Sequence, residues 1–104
     1  MTKPVVIGIE ARTELAAAPR WYDERHRGLG EQLIDEVDAA IARVTKNPGL
    51  GSPVAGVDDQ AIRRLFVHRL PYHLIFLELE DRVQVIAVAH DRTRPGYWRG
   101  RESS

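Results

Sequence analysis

The sequence predicts an α+β domain in which one strand, two helices and three more strands follow each other along 104 residues. Three observations indicate this fold class. They are a β-rich run near the N-terminus, an amphipathic helical pattern over residues 29–44, and three β-rich runs with short links in the C-terminal half. Because strands with such short links pair as an antiparallel meander, we expect a helical hairpin packed on a small, mainly antiparallel sheet.

The composition is that of one folded domain over residues 1–104. The chain is 43% hydrophobic and 29% charged, as in ordinary globular proteins and unlike disordered ones. It has no cysteine, which excludes disulfides, a thiolate nucleophile and cysteine-based zinc sites. The N-terminal apolar run is too short for a signal peptide, and no stretch approaches the roughly 20 apolar residues that cross a bilayer. We expect a cytoplasmic protein with no membrane partner.

Residues 4–26 are predicted to form a strand and then a helix. The alternating pattern at residues 4–10 predicts the strand, whose shared face carries Val5, Ile7 and Ile9. Thr13 is a candidate N-cap for a helix that continues to about His26. Its shared face carries Leu15, Ala18 and Tyr22. Because Pro19 lacks a backbone donor, the helix is predicted either to kink there or to begin near that residue.

The second helix has the clearest pattern in the chain. Its apolar residues recur at steps of three and four: Leu29, Leu33, Val37, Ile41 and Val44. It follows the Gly28-Leu29-Gly30 turn and should stop near Asn47, because proline and glycine follow. The short link predicts an antiparallel helical hairpin. Residues 47–60 are predicted to be loop.

The last two predicted strands are apolar on both alternating faces. One run sets Leu74 and Phe76 against Ile75 and Leu77, and the next sets Val83, Val85 and Ala87 against Ile86 and Val88. The helices can cover only one face, so the other needs a cover, which is the C-terminal segment, a partner chain, both, or simply the chain's own loops. We expect the tail to pack back through Tyr97 and Trp98 and to fray after about Gly100.

Charge divides the chain into an acidic and a basic part. Residues 1–60 have a net charge of −3, whereas residues 61–104 have a net charge of +3, with arginine as their only cation. Standard catalytic motifs are missing, and none of the four histidines stands at metal-ligand spacing, so neither a metal nor a cofactor is predicted. His68 and His73 flank Pro71 and could face each other, although a packing or surface role is the simpler interpretation.

The residues best suited to catalysis lie where the last predicted strand ends. They are His90, Asp91, Arg92, Arg94 and Tyr97. Attack of an RNA 2′-hydroxyl on the adjacent phosphodiester needs a base, an acid and a cation near the phosphate. His90, Tyr97 and either Arg64 or Arg92 could fill these roles. The alternative is structural: Asp91 pairs with a neighbouring arginine and Tyr97 is a core ring.

Several motifs in order resemble the RelE/ParE superfamily of toxins, often called plasmid stabilisation proteins. They are EL, A and WY in the first helix, GLG before the second, IRRLFVHRLPYHLIF, and the ending VIAVAHDRTRPGYW, together covering about residues 4–98. The resemblance implies a β-α-α-β-β-β fold and the toxin role in a type II toxin–antitoxin module. It also implies a cognate antitoxin that wraps and neutralises the toxin in a hetero-oligomer, its helix or strand lying on the second apolar face of the meander.

The resemblance leaves the toxin's target open. ParE-like inhibition of DNA gyrase is the first interpretation; RelE-like, metal-independent cleavage of mRNA on the ribosome is the alternative. A non-toxic member that only binds its partner is a second alternative. For a ribonuclease, the resemblance makes His90, Arg92, Tyr97 and Arg64 candidate catalytic residues and Arg63, Arg69 and Arg94 candidate phosphate contacts. The chain departs from the RelE pattern because its only lysines are Lys3 and Lys46, outside the basic half.

Overall fold

A computed structural model describes residues 3–47, 49–54, 56–57 and 61–101. Its elements in chain order are β1 (Val5–Ile7), α1 (Ile9–Arg25), α2 (Leu29–Lys46), β2 (Ser52–Pro53), β3 (Ile62–Phe66), β4 (Tyr72–Glu78) and β5 (Val83–His90). The five strands form one sheet in the order β1-β5-β4-β3-β2. β1 runs parallel to β5, and the remaining neighbours are antiparallel. The predicted α+β fold class is confirmed.

The sheet differs from the prediction at β2. Its two residues, Ser52 and Pro53, pair with Arg64 and Arg63 in a segment predicted to be loop. Two residues are too few to give a β-rich pattern, so only the pairing with β3 identifies this strand. The rest of the predicted loop lies partly outside the described residues.

The first helix begins five residues earlier than predicted, with Gly8 and not Thr13 at its N-cap. Gly8 donates its amide to the Val85 carbonyl at 2.9 Å as the last bond of β1 to β5, and its own carbonyl accepts from the Arg12 amide at 2.9 Å as the first bond of α1. Thr13 therefore lies inside the helix, where its hydroxyl donates to the Ile9 carbonyl at 3.1 Å. The N-cap prediction is wrong, and so is the strand assignment of Ile9, which begins the helix and is 81% exposed.

The two helices approach each other most closely at Pro19 and Gly30. The helix runs through Pro19 without interruption, so the alternative of a helix beginning there is wrong. A Cβ on Gly30 would overlap the Pro19 carbonyl oxygen, so glycine is required for this approach. Gly28, with a φ of 87°, provides the left-handed turn between the helices. The second helix matches its predicted bounds.

The main core lies between the helices and one face of the sheet. We call this the helix face; its buried sheet residues are Leu74, Phe76, Val83, Val85 and Val88. The buried helix residues that meet them are Ala11, Tyr22, Leu33, Val37, Ala40 and Val44. Burial of each large apolar side chain here contributes about 1.5–3 kcal/mol. The predicted apolar faces of both helices are thus confirmed as core.

The opposite face of the sheet, here called the outer face, has its own small core. Its buried residues are Ile62, Ile75, Leu77, Ile86, Ala87 and Trp98. The C-terminal segment covers them with Trp98, which is only 3% exposed, and Val54 and Val57 pack at the margin. The chain's own segments therefore cover this face. The buried residues of this face are thus accounted for by the chain's own segments, and the expectation that an antitoxin helix or strand lies on it stays a prediction.

A bulge in β5 decides which residues point to each face. Ile75 pairs with Ala87, but Phe76 pairs with Val85, so Ile86 has no residue opposite it. The alternation resets at that point: Ala87 joins Ile86 on the outer face, and Val88 returns to the helix face. The strict alternation predicted for this strand is wrong after Val85. Within the described residues, no helix is long and apolar enough to span a membrane.

Candidate functional site

The end of β5 divides the predicted site residues between the two faces of the sheet. His90 pairs across the sheet with Tyr72, a residue of the helix-face core. Arg64 pairs with Ile75, a residue of the outer-face core. Because the bulge precedes His90, it places this histidine on the helix face. His90 and Arg64, predicted to act together, lie on opposite faces.

His90 lies in an open groove of about 830 Å³ between α1 and the ends of β4 and β5. We call it the helix-side groove. The His90 ring meets Trp21 and Tyr72 edge-on, with centroid distances of 5.7 and 5.1 Å. Its Nδ1 accepts a hydrogen bond from the backbone amide of Arg92 at 3.1 Å. A ring nitrogen that accepts this bond carries no proton, which leaves the neutral ring's proton on Nε2.

Glu14 completes the edge of β5 beyond the point where β1 stops. Its Oε1 accepts from the Val88 amide at 3.0 Å and from Arg101 Nη1 at 2.9 Å. Arg101 Nη1 also donates to the Ile86 carbonyl at 3.1 Å. These side chains satisfy backbone groups at the bulge that no neighbouring strand reaches. Arg101 is thus held in place, although the tail was predicted to fray after Gly100; residues 102–104 lie outside the described part.

Tyr97 is the third member of this network. Its hydroxyl donates to Glu14 Oε2 at 2.6 Å, across 83 residues of sequence. Burial, the hydrogen bond to Glu14 and that carboxylate's charge together raise the pKa of Tyr97 well above its usual 10.0. The Tyr97 hydroxyl keeps its proton and donates a hydrogen bond to the Glu14 carboxylate. This bond anchors the C-terminal segment. The structural alternative for Tyr97 therefore has direct geometric support.

A second cluster lies on the outer face at the same end of the sheet. His73 Nδ1 and Asp91 Oδ1 are 2.8 Å apart. The His73 ring meets Phe66 edge-on at 5.8 Å, and the guanidinium carbon of Arg64 stands 4.7 Å from the Phe66 centroid. Asp91 thus pairs with a histidine and not with a neighbouring arginine. The partner of His73 is this carboxylate, and not His68 as the sequence suggested.

The remaining predicted arginines are dispersed. Arg63 donates to the Gly49 carbonyl at 2.7 Å, while Arg69 lies at the β3–β4 turn with a positive φ of 66°. Arg92 lines the helix-side groove, whereas Arg94 lines a small cleft on the outer face beside Arg64. Of the predicted cations, only Arg64 and Arg94 share one cleft. The described residues contain no cluster of three metal ligands.

The outward side of α1 carries several exposed apolar side chains beside the exposed ion pair of Arg20 with Glu24. Ile9 is 81% exposed and Trp21 is 42% exposed, and the exposed alanines Ala16 and Ala17 lie between them on the helix. The guanidinium carbon of Arg25 stands 3.9 Å from the Trp21 ring centroid. Nothing within the described part of the chain covers this stripe, which we call the α1 stripe.

The family of the chain follows from its sequence and agrees with this fold. The model of the family described as "ParE toxin of type II toxin-antitoxin system, parDE" matches residues 5–95. The chain belongs to the ParE toxin family. The family match places the chain among the toxins of type II toxin–antitoxin systems, as the resemblance implied. No curated protein sequence matches it.

Two solved structures share the ParE-type fold of this chain. The chromosomal ParDE toxin–antitoxin system from P. aeruginosa contains a chain with a TM-score of 0.70 and 16% identity, covering 86% of this chain and 96% of that one. The YoeB dimer from Staphylococcus aureus gives a TM-score of 0.58 at 5% identity, covering 84% of this chain and 94% of that one. At these identities the likeness shows the fold alone.

Sequence reasoning missed the residues that organise both clusters of this ParE family member. Glu14 was not singled out, because its partners at Val88 and Tyr97 are distant in sequence. Phe66 was also not singled out, although its place beside the predicted Arg64 could have been inferred, since residues two apart in a strand share a face. The His73–Asp91 pair joins the start of β4 to the residue after β5, and only the hairpin register brings them together.

Proposed function

We propose that this protein inhibits bacterial growth by acting on DNA gyrase and is neutralised by a cognate antitoxin. The family assignment supports a toxin, and the resemblance seen in the sequence offers gyrase and mRNA as targets. The observation that favours gyrase is the separation of the residues proposed for RNA cleavage. A base, an acid and a cation must meet at one phosphate. Arg92 shares the helix-side groove with His90, but Arg64 lies on the opposite face of the sheet, and the acid, Tyr97, lines the cleft on that opposite face.

The state of Tyr97 adds to this argument. A general acid must give up its proton to the leaving oxygen in the transition state, which requires a pKa near the working pH. The pKa of Tyr97 is raised by burial and by Glu14, and its hydroxyl hydrogen is directed at that carboxylate. An acid of this kind is poorly suited to RNA cleavage.

The deciding experiment is induced expression in a bacterium, with RNA end mapping in the cells and a supercoiling assay with purified gyrase. We expect growth arrest, unchanged RNA ends and loss of gyrase activity. New RNA ends that disappear in His90→Ala or Arg92→Ala would support the ribonuclease instead. Normal growth with retained binding of the antitoxin would support a non-toxic, partner-binding member.

The α1 stripe is the surface proposed for the antitoxin. Its exposed apolar side chains lie beside the exposed charges of Arg20 and Glu24, and amphipathic segments dock on such mixed faces through their own apolar side chains. The outer face of the sheet, where we first expected the antitoxin, is covered by Trp98 and the loops. The neutralising segment is therefore expected to lie along α1 between Ile9 and Trp21.

A charge introduced into the stripe tests this docking mode. Ala17→Glu should let the toxin escape neutralisation by the antitoxin, because a carboxylate would lose its water at the interface without a partner. Ala42→Glu is the matched control, since Ala42 is also exposed but lies on α2. Growth rescue by co-expression of the product of an adjoining small acidic reading frame gives the readout. Equal rescue of both variants would remove α1 from the interface.

A further inference from the structure

The helix-side groove is lined by a row of five aromatic rings. Each ring meets the next, with centroid distances between 5.1 and 5.7 Å, in the order Trp21, His90, Tyr72, Tyr22 and His26. The volume of the groove, about 830 Å³, is in the range of sites that hold small organic molecules. Rings that already pack against each other lose little conformational freedom when a flat molecule joins them. The groove therefore suits a ligand with a planar, apolar body.

Two tyrosines of this row have hydroxyl groups without a partner. Tyr22 and Tyr72 are only 6% and 3% exposed, yet neither hydroxyl makes a hydrogen bond to any of the described residues. Neither oxygen is sealed from solvent, and both residues line the groove. Buried tyrosine hydroxyls usually find a hydrogen-bond partner. Two that lack one and border the same groove indicate a ligand that accepts their hydrogen bonds.

The polar groups of the ring row are donors. Because His90 Nδ1 accepts from the Arg92 amide, the proton of the neutral ring is on Nε2, for which the described residues provide no partner. Burial and Tyr22 raise the pKa of Tyr72, against the opposing charge of Arg25. The Tyr72 hydroxyl therefore keeps its proton at neutral pH and donates. A ligand that matches this row carries acceptor atoms.

The charges around the groove favour an anion. Arg92 lines the groove with an exposed side chain, and the charge of Arg25 acts on Tyr72 from the end of α1. The carboxylate among the described lining residues belongs to Glu14, which is already bonded by Arg101 at 2.9 Å. Hydroxyl groups, an imidazole N–H and nearby guanidinium groups together suit a carboxylate, which accepts several hydrogen bonds at once.

We propose that the helix-side groove binds a small planar carboxylic acid in its ionised form. The flat body lies on the ring row, and the carboxylate accepts hydrogen bonds from the hydroxyls of Tyr22 and Tyr72. Arg25 and Arg92 supply the positive charge, and His90 Nε2 completes the set of donors. The site is assigned to a free small molecule and depends neither on gyrase inhibition nor on the antitoxin.

Isothermal titration calorimetry of the full-length protein tests this site with four probes of similar size. They are naphthalene-2-carboxylate, its neutral carboxamide, 2-naphthylmethylammonium and the saturated, non-planar decalin-2-carboxylate. We expect naphthalene-2-carboxylate to bind about tenfold more tightly than the carboxamide, because hydrogen bonds to a charged acceptor are roughly twice as strong. The cation and the saturated acid should also bind more weakly than the planar carboxylate.

Loss of one tyrosine hydroxyl should weaken the binding of naphthalene-2-carboxylate. Tyr72→Phe removes a donor that has no partner among the described residues, so the fold should be kept while the affinity falls roughly 10- to 150-fold. Tyr22→Phe is the second variant and should act in the same way. Both should also narrow the preference for the carboxylate over the carboxamide, which a merely structural role would not change.

Two residues outside the groove provide matched controls. Phe66→Leu removes an exposed aromatic ring from β3, and Arg82→Gln removes an exposed arginine from the β4–β5 turn. Both should bind naphthalene-2-carboxylate like the unaltered protein. Arg92→Gln should weaken binding by roughly two- to fivefold, because this cation is exposed to solvent.

The two tryptophans report where the probe binds. In ¹H–¹⁵N NMR spectra, the indole N–H signal of Trp21 in the groove should shift during the titration, whereas that of Trp98 on the outer face should not. Trp21→Phe assigns the two signals.

The proposal is overturned by any of several results. They are no binding of naphthalene-2-carboxylate at millimolar concentration, equal affinity for the carboxamide, the cation or the saturated acid, unchanged binding by both tyrosine variants, and a shift of the Trp98 signal in place of Trp21. These measurements involve neither gyrase nor the antitoxin. Failure here leaves the proposed function standing, and an unaffected gyrase leaves this site standing, so the two failures are distinguishable.

Discussion

The two tryptophans lie in opposite environments. Trp98 is 3% exposed and covers the outer face of the sheet, whereas Trp21 is 42% exposed on α1, with Arg25 and the edge of His90 against its ring. The sequence left open whether the C-terminal segment, a partner chain, both or the chain's own loops cover the second face of the sheet, and it predicted a shared face on the first helix without saying what its other side does. The structure answers both points: the chain covers its own sheet and leaves an apolar stripe open on α1.

The difference follows from what holds each segment. The C-terminal segment is anchored by Tyr97 and Arg101, which both bond to Glu14. These bonds on either side of Trp98 hold this residue against the outer face. No segment within the described residues follows the outward side of α1. An apolar surface that the fold itself leaves open is the better candidate for a partner.

The largest expected effect is on the free energy of unfolding, which substitution of the two tryptophans should lower by different amounts. Trp98→Ala should lower the free energy of unfolding by about 3–5 kcal/mol, because it opens a cavity in the outer-face core. Trp21→Ala should cost less, because 42% of this residue is already exposed to water and it is not part of either buried core. Urea denaturation followed by circular dichroism measures both. Similar losses for the two variants would show that the outer face does not depend on Trp98.

The second largest effect is expected from loss of the Glu14 carboxylate, which anchors the C-terminal segment. Glu14→Gln should cost about 2–3 kcal/mol, because the amide nitrogen cannot accept from Tyr97, Arg101 and the Val88 amide together, and hydrogen bonds to a charged group are lost. Glu24→Gln is the control on the same helix; its ion pair with Arg20 is exposed and should be worth no more than about 1 kcal/mol. The same urea titration applies. If the Glu14→Gln variant were as stable as the control, Glu14 would not anchor the C-terminal segment.

The smallest effect appears at alkaline pH. The folded-state pKa of Tyr97 is raised above the unfolded value of 10.0, so above about pH 10 the unfolded chain releases a proton that the folded chain keeps. Stability from this group is therefore complete below pH 10 and decreases as the pH rises further. Burial and Tyr22 also raise the pKa of Tyr72, which adds to the same trend.

Unfolding midpoints at pH 8, 9, 10 and 11 measure this dependence. Tyr97→Phe should be less stable than the unaltered protein at pH 8 but should lose less stability between pH 10 and 11. Tyr72, whose pKa is also raised, leaves a residual slope in both proteins. Parallel curves would mean that Tyr97 has an ordinary pKa in the folded state.

Much of the fold could be predicted because its patterns are local. The bounds of α2, the three C-terminal strands and the tight turn at Glu80–Arg82 all follow from periodicity and turn residues within a few positions. Errors arose where a long-range contact overrides a local preference. Gly8 makes the last bond of β1, to Val85, and is also the N-cap of α1, so the helix begins before Thr13.

The candidate site was predicted less well for a related reason. The sequence located the chemically rich segment from His90 to Tyr97 and the arginine on β3, but it could not say which face each residue occupies. One extra residue at Ile86 exchanges the faces of all positions that follow. Neither a bulge nor its position is visible in a run where every residue is apolar.

The sequence by itself determined the order of elements, the two apolar faces of the sheet and the family, because these depend on spacing and residue type. Only the tertiary structure decided what covers the second face, which group accepts the hydrogen bond of the Tyr97 hydroxyl, and that His73 and not His90 shares a cleft with Arg64. The physical reason is the same in each case. Hydrogen bonds such as that from Tyr97 to Glu14 join residues 83 positions apart, and no local pattern records such a contact.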